Sequence, residues 1–96
     1  MIIRFLPDAE VEMFEAELWY GQQRKGLDHE FIQSIKDAIN RLHENPSMYP
    51  VVYRSLRRVL VRKFPYAIYY TSDKSAIHIV AVFHTKRNPK HWKARL

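Results

Sequence analysis

The sequence reads as an α+β domain in the order β-α-α-β-β-β, with an N-terminal helical hairpin packed on one face of an antiparallel sheet. Three patterns carry this reading. Two successive segments place apolar residues at helical spacing, the last third of the chain alternates with a period of two, and the strands after the helices are joined by turns of hairpin length.

Taken in order, Ile2, Ile3, Phe5 and Leu6 make a short first strand. Pro7-Asp8 marks a helix start, with Asp8 the expected N-cap and Glu10 and Glu12 in the turn where the helix dipole favours negative charge. Val11, Phe14, Leu18 and Trp19 form the apolar stripe expected to face the core, and Gly26 is the expected stop. Asp28 is expected to cap a second helix whose Phe31, Ile35, Ala38, Ile39 and Leu42 share one face until Asn45-Pro46 ends it. A link of about two residues between such helices implies an antiparallel pair. Residues 47–53, rich in Pro and Tyr, are expected to be a loop. Residues 56–62 (Leu56, Arg57, Arg58, Val59, Leu60, Val61, Arg62) alternate imperfectly and read as the strand before a hairpin. In that hairpin Phe64, Tyr66, Ile68 and Tyr70 alternate with Pro65, Ala67 and Tyr69; after the Ser72-Asp73-Lys74 turn, Ile77, Ile79, Ala81 and Phe83 alternate with His78, Val80, Val82 and His84. The second strand then runs into a basic tail.

Ninety-six residues form a single domain, residues 1–96, with no repeat, linker or low-complexity tract. The chain has no cysteine, so packing alone must hold it, as suits a reducing compartment. Its apolar opening meets Pro7 and Asp8 long before a signal peptide or membrane span is complete, so the expected location is cytoplasmic, with no membrane partner. Sixteen Lys and Arg against ten Asp and Glu leave a formal charge of +6. The surplus is concentrated: Arg54, Arg57, Arg58, Arg62 and Lys63 form one run without acids, and His84, Lys86, Arg87, Lys90, His91, Lys93 and Arg95 another. The acids lie mainly in the first helix, at Asp8, Glu10, Glu12, Glu15 and Glu17. One side of the fold is therefore expected to be positive and to favour an anionic partner, nucleic acid or an acidic protein segment.

Chemistry has few places to reside. The five histidines come without H-E-x-x-H or thiolates, so no metal is expected; Gly21 and Gly26 make no phosphate loop, no Ser-His-Asp order stands out, and no cofactor is implied. What remains is a basic and aromatic cluster: Arg57, Arg58 and Arg62, then Tyr66 and Tyr69, then His84, Lys86, Arg87, His91 and Trp92. Cleavage of RNA at a 2′-hydroxyl needs a base, an acid and cations for the phosphate, and His84, Arg87 and His91 are the candidates. Alternating aromatics are also ordinary strand residues, and Trp92 either pins the tail to the sheet or contacts a partner.

The run Phe64-Pro65-Tyr66 with Ile68 and Tyr70, followed by Ile77, Ile79, Ala81, Val82, His84, Arg87, Pro89 and Trp92 in register, resembles the C-terminal half of the RelE/ParE toxin superfamily of bacterial type II toxin-antitoxin modules. The resemblance implies the same β-α-α-β-β-β fold and a small antitoxin partner whose C-terminal segment wraps the toxin. Members that cut mRNA on the ribosome usually carry an Arg after the Tyr of the middle hairpin strand; here that position is Ala67, and the tail has no tyrosine. Phe64-Pro65-Tyr66 and the ending from Val82 to Trp92 resemble instead the ParE branch, often labelled plasmid stabilisation proteins. That likeness implies a poison of DNA gyrase that acts by binding, with Arg57, Arg58, Arg62, His84, Lys86, Arg87 and Trp92 as the target-binding surface. A ribosome-dependent mRNA endonuclease using His84, Arg87 and His91 is the alternative.

Overall fold

Helical spacing and alternation become eight elements in the computed structural model, which describes all 96 residues. They are β1 (Ile2–Phe5), α1 (Pro7–Gln23), α2 (Leu27–Glu44), β2 (Val51–Tyr53), β3 (Leu56–Leu60), β4 (Tyr66–Ser72), β5 (Ala76–His84) and α3 (Lys90–Lys93). The α+β class and the helical hairpin on a sheet hold. The strands lie in the order β1-β5-β4-β3-β2. β1 runs parallel to β5, from Ile2 opposite Ala76 to Phe5 opposite Ile79, while the other pairs are antiparallel. Almost the whole chain separates β1 from β5, so no tight turn dictates their relative direction. β2, which falls where a loop was expected, is an edge strand of three residues between Pro50 and a tight turn, too short for any periodicity to announce it.

Phe31, Ile35, Ala38 and Leu42 of α2 are buried as their spacing requires, against Val59, Ile68, Tyr70, Ile77 and Ile79 of the sheet. α1 departs from expectation. Its buried face is Ala9 and Ala16, with Met13 and Tyr20 packed beside them, whereas Val11, Phe14, Leu18 and Trp19 are each more than half exposed. α1 carries apolar residues on two opposite sides; the side with small Ala9 and Ala16 lets the helix approach β5 closely, and the bulkier side is left to solvent. Caps differ too. Leu6 is the N-cap of α1 with Pro7 at the first position, so Asp8 belongs to the first turn. α1 ends at Gln23, and Gly26, with φ of 89°, starts α2 in the left-handed conformation that spares glycine a Cβ clash, leaving Asp28 inside the helix.

The hairpin contains an irregularity that alternation conceals. Tyr69 pairs with Ala81 but Tyr70 with Ile79, so Val80 is an extra residue in β5. Ile77, Ile79 and Val82 therefore face the helices, whereas Val80, Ala81 and Phe83 join Leu56, Ala67, Tyr69 and Trp92 in a second buried cluster on the opposite face. A run in which Ile79, Val80, Ala81, Val82 and Phe83 are all apolar looks the same with or without the bulge. α3 covers this second face: Trp92 stacks on Tyr69 with ring centroids 4.7 Å apart and is 5% exposed.

Candidate functional site

β1 ends at Phe5, and the last bond from that side is the Leu6 amide to the Ile79 carbonyl at 2.9 Å. Beyond it, the rest of β5 is an open edge with polar backbone groups that need partners. Glu12 and Arg95 supply them. Glu12 Oε1 accepts the Val82 amide at 3.0 Å, and Arg95 Nη1 donates to the Val80 carbonyl at 3.0 Å. The two side chains bind each other in two bonds, Arg95 Nη1 to Glu12 Oε1 at 2.9 Å and Nη2 to Oε2 at 2.6 Å. With side chains only 11% and 15% exposed, they form a mostly buried clamp that seals the bulge and ties the tail to α1. The hydrogen bond to Glu12 pushes the Arg95 pKa up against the opposing effect of burial. Sequence reasoning took Glu12 for a helix-dipole acid; a carboxylate lying between Ala9 and Ala16, near the buried side of a helix, was the available signal.

The target-binding residues expected from sequence divide between several places. Arg57 lies opposite Tyr70 on the helix side, and its Nη1 donates to the carbonyls of Ser47 at 3.1 Å and Tyr49 at 2.6 Å, so it anchors the loop before β2. Arg58 lies opposite Tyr69 on the outer face and is exposed, while Arg62 sits in the turn after β3. Trp92 is buried and holds the tail down, so the packing role prevails over a surface contact. Around it the outer face does gather cations: Arg54 and Lys93 both lie 5.1 Å from the centre of the Tyr53 ring, which packs against Trp92 with centroids 6.2 Å apart. Arg54 and Lys93 were visible in the basic runs, but nothing in the sequence said that the hairpin turn and the tail meet over Tyr53.

His84 and His91 attach to opposite faces of β5, and Arg87 borders Phe83 as His91 does. His84 packs on Tyr66, with centroids 5.4 Å apart, and its Nδ1 accepts the Lys86 amide at 3.1 Å. Arg87 lies 4.1 Å from the Phe83 ring centre and 3.4 Å from Glu12 Oε2, a longer and more exposed contact than the one Glu12 makes with Arg95. His91 sits beside Phe83 of the opposite cluster. Lys86 is exposed. Between α1 and the end of the hairpin lies a cleft of about 260 Å³ lined by Glu12, Glu15, Trp19, Tyr66 and Arg87, continuing into a hollow of about 430 Å³ beside His84. Burial pushes the Tyr66 phenol up, with Tyr20 adding to the rise and Arg87 opposing it. Of the two carboxylates in the cleft Glu12 is taken up by Arg95, and Ala67, where a phosphate-holding cation would stand, is fully buried. The arrangement suits binding better than phosphoryl chemistry.

In fold the chain is similar to a solved chain titled chromosomal ParDE TA system from P. aeruginosa, with a TM-score of 0.64 over 88% of this chain and 95% of that one. Identity there is 10%, so that likeness concerns the fold alone. Sequence makes the assignment: a model of the ParE toxin of type II toxin-antitoxin systems, parDE, matches residues 3–89, and the chain belongs to this family. It is also similar to Toxin ParE2 of two Mycobacterium tuberculosis strains, CDC 1551 / Oshkosh and ATCC 25618 / H37Rv, with 26% identity over 88 residues, covering 91% of this chain and 84% of each relative. No helix is long and apolar enough to cross a membrane.

Proposed function

We propose that this protein arrests growth by binding DNA gyrase in the cytoplasm and trapping it on cleaved DNA, and that a cognate antitoxin holds it silent. Membership of the ParE family carries the reading. The geometry supports binding over RNA cleavage, since His84 packs on Tyr66 and His91 on Phe83, on opposite faces of β5, and the middle of the hairpin carries the buried Ala67 in place of a cation. The outer face supplies a contact surface of suitable sign: Arg54 and Lys93 around Tyr53 and Arg58 opposite Tyr69, on a scaffold fixed by Trp92. Cations displayed on a rigid surface steer and orient an anionic target such as the gyrase-DNA complex.

The test is incubation of the purified protein with gyrase, ATP and supercoiled plasmid, followed by denaturation. Gyrase-dependent linear DNA is expected. Growth arrest without linear DNA would move the target to mRNA on the ribosome, with His84, Arg87 and His91 the first residues to change.

A further inference from the structure

No strand of the sheet contains an acid. Of the ten Asp and Glu, five lie in α1 and four in α2, and the tenth, Asp73, occupies the β4–β5 turn. The register from Arg57 opposite Tyr70 puts that turn at the same end of the sheet as Arg54, but the Asp73 carboxylate is engaged by the Ser75 and Ala76 amides and by His78. On the outer face the cations surround one aromatic stack. Arg58 stands opposite Tyr69, Tyr69 carries Trp92, and Lys93, the next residue, reaches the Tyr53 ring together with Arg54. Arg54, Arg58 and Lys93 are exposed and make no ion pair, whereas Arg24, Arg87 and Arg95 are each paired with an acid. α3, which supplies Trp92 and Lys93, follows the segment matched by the family model, so membership of the family gives it no role.

What such a face binds follows from which groups are left free. A single strand of nucleic acid is held by bases stacked on open aromatic rings. Here the rings are taken: Trp92 and Tyr69 are each 5% exposed and lie on each other, and Tyr53 is covered by Arg54 and Lys93. Direct reading of bases needs an element that enters a groove, and α3, the helix on this side, has four residues. Protein partners dock on an apolar centre, whereas Leu56, Phe83 and Trp92 around the stack are buried. Guanidinium and ammonium heads remain, and their natural acceptors are the closely spaced phosphates of a duplex. We propose that the outer face holds the phosphate backbone of duplex DNA without regard to base sequence, so that in the gyrase complex this surface touches the DNA and not the enzyme. Its part in poisoning rests on the gyrase reading; the DNA contact itself does not.

Fluorescence anisotropy of a labelled DNA duplex of about 20 base pairs, titrated with the full chain in the absence of gyrase, tests it. Binding is expected at about 50 mM salt, with the logarithm of the affinity falling linearly against the logarithm of salt at a slope of about −3, one phosphate for each of the three cations. Arg58→Ala and Lys93→Ala are each expected to flatten that slope by about 1. Lys36→Ala removes the same charge from the exposed side of α2 and is expected to change nothing, which separates a site from the general attraction of a chain at +6. All three side chains are exposed, so fold and melting temperature hold. Two duplexes of unrelated sequence should bind alike. No binding by the folded chain, a loss on Lys36→Ala as large as on Arg58→Ala, or tighter binding of single-stranded DNA or of an RNA duplex would overturn the proposal. The gyrase assay separates the two levels of the account. Gyrase-dependent linear plasmid from a chain that does not bind DNA alone would mean that the face is wrong and the gyrase reading stands. DNA binding with the variant effects above and no linear plasmid would mean that the gyrase reading fails and the DNA contact stands.

Discussion

Arg95 shows how much a single side chain near the chain terminus can carry. Its guanidinium completes the Val80 carbonyl at the bulge and neutralises Glu12, whose carboxylate is nearly enclosed. Arg95→Ala leaves Glu12 with only the Val82 amide and the longer contact to Arg87, so a loss of about 3 kcal/mol is expected in urea denaturation. Glu12→Ala/Arg95→Ala should cost less than the two single losses added together, because the partners share one interaction. Arg54 tests the opposite relation between stability and function. It holds φ at 52°, a left-handed conformation costly for any residue with a Cβ. Arg54→Gly is expected to gain about 0.5 to 1 kcal/mol of stability while weakening target binding, as for a strained residue retained for contact. Unchanged target binding would remove Arg54 from the proposed surface. Of these two residues the sequence displayed the charge and concealed the partner: Glu12 and Arg95 are separated by almost the whole chain, and no local pattern links them.

Among the elements, the β4–β5 hairpin is the most legible and also contains the least legible feature. Its turn is built as Ser72-Asp73-Lys74 suggests: Asp73 Oδ1 accepts the amides of Ser75 at 2.8 Å and Ala76 at 2.9 Å, and Oδ2 meets His78 Nε2 at 3.2 Å. Those bonds, led by the Ser75 and Ala76 amides, hold the carboxyl well below the usual carboxylate range. The Val80 bulge was hidden because every neighbour is apolar, and it moves His84 to the helix side. On β4, Tyr70 is fully buried, and its hydroxyl donates to the Pro46 carbonyl at 2.6 Å. Burial pushes the phenol up to about 12, with Arg57 opposing the rise and Tyr49 adding to it. An unfolded tyrosine ionises near about 10, so between about pH 10 and about pH 12 the native state holds a proton that the unfolded state has lost, and stability falls as pH rises. Tyr20 and Tyr66, also raised chiefly by burial, act in the same direction. Denaturation followed from about pH 9 to about pH 11 should show this decline, and Tyr70→Phe should make it shallower. An equal slope in the variant would assign the alkaline loss to other groups. α1 teaches a different lesson: a stripe of Val, Phe and Leu signals the core only when no second apolar face competes, and Ala9 with Ala16 won by fitting closer.

For the molecule as a whole, the fold class was legible because the helical and strand periodicities are long and the resemblance runs through most of the chain. β2 and the direction of β1 were not, since neither a three-residue edge strand nor a long-range pairing leaves a local trace. The surfaces were legible as charge and illegible as geometry. The two basic runs do meet, at Tyr53 rather than at the histidines, while Arg57 and Trp92 serve the scaffold. Cations gather on the outer face around Tyr53, whereas the acids of α1 are partly matched, Asp8 and Glu12 by Arg95.

The most direct test of this account is the gyrase assay run on wild type beside Arg58→Glu and Lys93→Glu. Both side chains are exposed, so the variants should fold and melt as wild type does. Linear plasmid that depends on gyrase with wild type, and at least about tenfold less with either variant, is the predicted result. Linear DNA undiminished in both folded variants would contradict the outer face as the target surface, and none from a wild-type protein that still arrests growth would contradict gyrase as the target.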